Sequence, residues 1–131
     1  MQWEDHIFAI NSHASEDSRM CVLQGHVTFR SHDYPARILL DSGADRQYVS
    51  AEFVRKAGLE VDTSRNHPKL VKVANGAYEQ VPGEASFTLV MSGYNSRIHA
   101  RVLNLPDFDI ILGFDWLRTV NPIIDWRTLR I

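Results

Sequence analysis

Apolar residues in this chain come in short runs, the longest about four residues, and turn-forming residues break them apart. Runs that short build strands and brief helices; a helical bundle needs a 3.6-residue pattern sustained over ten residues or more. Residues 25–30 alternate apolar with polar, as a half-buried strand does. Ser31-His32-Asp33-Tyr34-Pro35 reads as a turn, with Pro35 at the entry of the next strand. Residues 36–40 form a buried strand that ends at Asp41-Ser42-Gly43. Ser50 has the character of a helix N-cap, residues 51–57 of a short helix with Phe53, Val54 and Ala57 inward, and Gly58 of its stop. Residues 69–73 and 77–81 flank Asn75-Gly76, a strong hairpin signal because both turn residues favour positive φ. A second strand pair is expected at 85–91 and 97–103, around Ser92-Gly93-Tyr94-Asn95. Residues 108–112 read as an apolar strand, 115–120 as one or two helical turns ended by Asn121-Pro122, and 123–131 as a last strand. The sum is an all-β domain with one or two short helices and a barrel or sandwich-like core.

The length of 131 residues suits one domain, and 44% apolar with 23% charged residues is the balance of an ordinary globular protein. A net charge of −2 argues against a nucleic-acid backbone binder. No run approaches the ~20 apolar residues of a membrane-spanning helix, and the acidic start Met1-Gln2-Trp3-Glu4-Asp5 is no signal peptide. The single cysteine, Cys21, excludes an internal disulfide. Residues 1–21 read as a leader or linker, with Trp3, Ile7, Phe8 and Ile10 as docking residues, and 22–131 as the folded domain.

Two segments carry chemistry. Leu39-Leu40-Asp41-Ser42-Gly43-Ala44 sets a carboxylate directly after an apolar strand; alone, Asp-Ser-Gly is a common turn. Ile110-Ile111-Leu112-Gly113-Phe114-Asp115-Trp116-Leu117 alone reads as a buried strand running into a helix. Asp41 and Gly113 lie 72 residues apart with the Asn-Gly hairpin between them. The six histidines show no metal-ligand spacing, and neither a phosphate-binding glycine pattern nor Gly-x-Ser-x-Gly occurs.

In this order, the two segments, together with Val73-Ala74-Asn75-Gly76 and Asn121-Pro122-Ile123-Ile124-Asp125-Trp126, resemble the retropepsin-like aspartic proteases, in particular those of Gypsy-class LTR retrotransposons. The resemblance spans about residues 22–131. It implies a closed acid-protease β-barrel that is one half of a C2 dimer. Two carboxylates a few ångström apart share a proton, one acting as base on water and the other as acid on the scissile carbonyl. The chain holds a single Asp-Ser-Gly and is too short for a two-lobed enzyme, so Asp41 would meet its symmetry copy. The resemblance further implies that Ser42 hydrogen-bonds across the two loops and that Gly43 lets backbone approach substrate, with Ala44 completing the loop. It makes Asp45 a binder of substrate backbone. Ala74, Asn75, Gly76 and Tyr78 would belong to a flap that closes over bound peptide. Ile111, Leu112 and Gly113 would back the loop, and Trp116 and Leu117 would be core.

One departure is Phe114, where retroviral relatives carry an arginine that pairs with the residue at Asp45; Arg46 is the cation at hand for Asp115. The implied activity is an endopeptidase acting on extended polypeptide, the element's own polyprotein, without metal or other cofactor. It would be intracellular, in cytoplasm or retroelement particles, and would bind neither nucleic acid nor membrane. Residues 123–131 would help pair the subunits. Three alternatives stand beside this reading: an inactive domesticated dimerisation or peptide-binding module, a cellular retropepsin-like enzyme of the kind fused to ubiquitin-like domains, and an unrelated ligand-binding barrel.

Overall fold

β2 (Cys21–Phe29) and β3 (His32–Leu40) pair antiparallel along their full lengths, from Cys21 against Leu40 to Phe29 against His32. This computed structural model describes residues 6–7, 21–63, 69–73 and 76–123. The β2–β3 turn is shorter than the sequence reading placed it: Arg30 and Ser31 alone make it, both at positive φ (50° and 64°). His32 to Pro35 therefore belong to β3, and Pro35 sits inside the strand, opposite His26. It fits because of strand parity. Arg37, two residues on, points its N–H away from β2 to Asp109 Oδ2 (2.8 Å). The proline nitrogen faces the same side, and β9 pairs with β3 only from Ile38 onward, so no ladder bond is lost.

The other elements are β1 (His6–Ile7), β4 (Tyr48–Ser50), α1 (Ala51–Ala57), β5 (Lys69–Val73), β6 (Tyr78–Val81), β7 (Glu84–Met91), β8 (Tyr94–Leu103), β9 (Ile110–Leu112) and α2 (Phe114–Val120). Six strands close a barrel in the order β2-β3-β9-β4-β8-β7, with β7 returning to β2. β5 and β6 form a separate hairpin, and β1 pairs parallel to β5. The barrel is the closed all-β architecture the sequence implied.

Ser50 caps α1, its Oγ accepting from the Phe53 N–H at 3.2 Å, and Gly58 ends the helix at φ 70°. Other strand limits also differ from the sequence reading, most clearly those of β8 and β9. β8 starts at Tyr94 rather than Arg97, because Ser92 and Gly93 (φ 48° and 78°) make a two-residue turn of the type that matches strand twist. The polar Tyr94-Asn95-Ser96 stretch is thereby drawn into the ladder. β9 starts at Ile110 rather than Phe108. The Asp109 carboxylate takes the Arg37 N–H that a strand carbonyl would otherwise accept. Asn121 ends α2 in the left-handed region. Of the expected last strand, residues 124–131 lie outside the described residues, and Ile123 is in no element and 90% exposed.

Two apolar clusters form, and alternation along single strands feeds both. Ile38, Leu40, Ile110 and Leu112 point into the barrel with Val27, Phe87, Leu89, Ile98 and Trp116. Leu39 and Ile111 point the other way, into a cluster with Ala44, Tyr48, Val71, Val81, Leu103 and Phe108. That explains runs such as Ile38-Leu39-Leu40 and Ile110-Ile111-Leu112, which are apolar throughout because both faces are covered. The second cluster joins the β5–β6 hairpin to the barrel.

Candidate active site

β3 and β9 run parallel with Ile38 against Ile110, Leu39 against Ile111 and Leu40 against Leu112. The offset is constant, so the 72-residue spacing seen in the sequence is the register of this pair. Asp41 and Gly113 leave the barrel side by side at the same end. The Asp41 N–H extends the ladder by one bond to the Leu112 carbonyl (3.0 Å).

Asp41 is buried, with 8% of its surface exposed, a rare state for a carboxylate without partners. The Gly43 N–H donates to Asp41 Oδ1 at 2.9 Å, and the Ala44 N–H to the Asp41 carbonyl at 3.1 Å. The loop therefore turns tightly around its own carboxylate and sets its direction. Ser42 is exposed on the rim, and Ala44 is fully buried beneath the loop.

The loop is also tied from outside. An isolated helix leaves its first N–H groups without partners. In α2 the first three are taken up by the loop: Phe114 N–H donates to the Ala44 carbonyl (2.7 Å), Asp115 N–H to the Asp45 carbonyl (3.2 Å) and Trp116 N–H to Gln47 Oε1 (3.0 Å). Gly113, the N-cap, provides no side-chain cap of its own. It is glycine for a steric reason: a Cβ there would stand 2.2 Å from the Arg46 carbonyl oxygen and 2.6 Å from that of Ala44.

Asp45 is oriented by Tyr48, whose hydroxyl donates to Oδ1 at 3.0 Å, and Arg46 Nε lies 3.7 Å from Oδ2. The proposed Arg46–Asp115 pair does not form; Arg46 faces Asp45, and Asp115 lies 3.8 Å from Arg118. Adjacent residues meet more readily than the distant pair does, since Asp115 follows its own helix to Arg118 at i,i+3. Gln47 and the fully buried Tyr48 were not singled out in the sequence. The signal for Tyr48 is an aromatic inside a polar loop; Gln47 carries none.

Ile111 and Leu112 are fully buried beneath the loop, and Trp116 is core, its indole N–H bonded to Ser96 Oγ at 3.0 Å. Leu117 is partly buried against the same core. The β5–β6 hairpin buries Val71 and Val81 against Leu39, Ala44 and Ile111, the apolar backing of the loop. Its other face shows Leu70 and Tyr78, 58% and 64% exposed. The last ladder pair is Lys72 with Tyr78, so the connection is longer than a two-residue Asn-Gly turn; Gly76 has φ 90°. Ala74 and Asn75 lie outside the described residues. Among the described residues, no group of three or more His, Cys, Asp or Glu side chains could hold a metal ion, and no helix is long and apolar enough to cross a membrane.

The buried Asp41 carboxylate thus sits in its Asp-Ser-Gly loop at the parallel β3–β9 exit. A family model for the PEG10/RTL1 protease domain matches residues 37–131. The chain belongs to this family. The PEG10/RTL1 protease domain is a retropepsin-like domain of Gypsy-retrotransposon descent. Among solved structures, the chain is similar to EIAV protease complexed with the inhibitor HBY-793, with a TM-score of 0.58 and 17% identity over 84% of this chain and 96% of that one. It is also similar to the retroviral protease-like domain of Ddi1 from Leishmania major, with a TM-score of 0.56 and 18% identity over 81% of each chain. At these identities the likeness shows a shared fold. Of the alternatives raised from sequence, the unrelated barrel is excluded.

Proposed function

We propose that this PEG10/RTL1 protease domain is an aspartic endopeptidase, active as a homodimer, that cleaves extended polypeptide. The observation that carries the reading is the Asp41 carboxylate, buried at the β3 exit and aimed by the Gly43 N–H at 2.9 Å.

One chain supplies one such carboxylate, and the chemistry needs two. A twofold axis past Ser42 brings Asp41 against its copy, with the exposed Ser42 hydroxyls free to bridge the loops. Like charges that close share one proton. The unprotonated carboxylate takes a proton from water while the protonated one gives its proton to the carbonyl oxygen, so the carbonyl carbon gains a hydroxyl. Collapse of that tetrahedral diol passes a proton to the amide nitrogen and breaks the C–N bond. Substrate lies as a strand between the loop and the β5–β6 hairpin, which acts as flap and excludes water. Asp45, held by Tyr48, faces its backbone. In the family's setting the substrate is the polyprotein that encodes the domain, with residues 1–20, ahead of β2, as the upstream linker.

Concentrated wild-type chain and Asp41→Asn are incubated with an unfolded protein mixture at about pH 5 and pH 7. Fragments are read by mass spectrometry and association by sedimentation. Cleavage by wild type alone, with dimers present, is the expected result. Dimers without cleavage would instead make the domain an inactive binding module.

A further inference from the structure

A polar cleft of about 250 Å³ opens on the outer face of the barrel, beside the end of the active-site loop. Arg46 and Gln47 form one wall, the start of α2 with Trp116 another, and the outward residues of β8, Arg97 and His99, a third. The cleft is thus continuous with the loop that begins at Asp41. Gln47 in the cleft wall follows Asp41 by six positions, so it lies at most about 22 Å away, a span that an extended peptide advancing about 3.3–3.6 Å per residue covers in about six residues.

Charge decides what the cleft accepts. Three guanidinium groups line it, those of Arg46, Arg97 and Arg101, against the two carboxylates of Glu84 and Asp115. Arg101 stands directly opposite Glu84 in the β7–β8 register. Arg46 faces Asp45, and Asp115 is near Arg118. Arg97 differs: its contact is a long 3.4 Å bond to Thr88 Oγ1, and among the described residues no carboxylate pairs with it. His99 is steadied by Ser86 Oγ, 2.6 Å from its Nδ1. Within this lining guanidinium groups outnumber carboxylates by one, and Arg97, which also borders Glu60 and Asp62 in a neighbouring hollow, offers a planar fork suited to a carboxylate. The two resident carboxylates disfavour a doubly charged group such as phosphate.

We propose that this cleft is an accessory substrate site that takes one acidic side chain, aspartate or glutamate, of a polypeptide lying across Asp41. The assignment rests on the protease reading above, and its test separates the two. The full chain carrying Asp41→Asn is labelled with nitrogen-15 and titrated with an acetylated, amidated peptide of alternating alanine and glutamate. The Trp116 indole N–H resonance, identified by its loss in Trp116→Phe, reports the cleft.

The expected result is a saturable shift that the matching glutamine peptide does not produce and that weakens about tenfold in Arg97→Glu. Arg97→Gln, a milder change at an exposed position, should weaken it less. Equal shifts with both peptides, indifference to either Arg97 variant, or an equal response to inorganic phosphate would overturn the proposal. In the wild-type digest, cut sites should be enriched for an acidic residue at one outer position, and Arg97→Glu should lose that enrichment. Absence of any cleavage, with glutamate-peptide binding intact, would overturn the protease reading and leave an acidic-peptide cleft.

Discussion

The 41–47 loop and the β5–β6 hairpin face the same end of the barrel, yet they are held in opposite ways. The loop is tied through its backbone to Leu112, to the first three N–H groups of α2 and to its own carboxylate. The hairpin is anchored by one buried face, Val71 and Val81, and leaves Leu70 and Tyr78 in solvent. A group that must hold a reacting carboxylate in place profits from directional bonds that allow one geometry. In the proposed reading the hairpin is a cover that opens for a polypeptide, and such a cover profits from an apolar hinge, because such contacts are non-directional and permit sliding. The low-stability parts of a fold are where such motion is found.

Substitutions can break or sharpen that contrast. The largest effect is expected at Asp41. Asp41→Asn should lower cleavage at least about a thousandfold, as loss of an acid–base group does, while thermal melting still shows a folded domain. Matched glycine changes in the two regions come next. Gly113→Ala drives a methyl into the Arg46 carbonyl, and should destabilise the chain by about 3 kcal/mol in urea unfolding. Gly76→Ala meets nothing within 4 Å and carries only the strain of φ 90°, so it should cost about 1 kcal/mol. Equal costs at the two glycines would sink the idea that the regions differ in rigidity.

Val71→Ala should cost about 2 kcal/mol, and hydrogen exchange should locate the loss in β5 and β6 while barrel amides stay protected. Uniform deprotection would mean that hairpin and barrel unfold as one unit.

The smallest effect concerns the buried Cys21 at the start of β2. Burial raises its thiol above the ordinary value. The folded chain then holds the thiol proton more tightly than the unfolded chain does. The stability tied to it is complete below the unfolded thiol's range and is lost as pH climbs through the raised folded value. Urea unfolding over an alkaline series should show a decline that is shallower in Cys21→Ala.

Much of this protein was legible from order along the chain. Ser50 and Gly58 delimit α1 because capping is local chemistry between residues a few positions apart. The unbroken apolar character of 38–40 and 110–112 marked strands covered on both faces, and the Asp41 and Gly113 segments together pointed to the fold. What failed was also local in origin but tertiary in cause. The Arg30-Ser31 turn, with neither glycine nor asparagine, is held by the long ladder on either side of it. The late start of β9 follows from Asp109 reaching Arg37, 72 residues away.

The sequence by itself determined which residues are apolar on which faces, where the helices stop, and that a carboxylate follows β3. Those depend on side-chain character and on neighbours within a few positions. Only the tertiary structure decided that α2 would spend its unpaired N–H groups on the loop after Asp41, that Tyr48 would aim Asp45, and that Arg97 would pair with no carboxylate among the described residues. Each of these depends on a contact between distant segments, and no periodicity along the chain encodes the distance across which such groups meet.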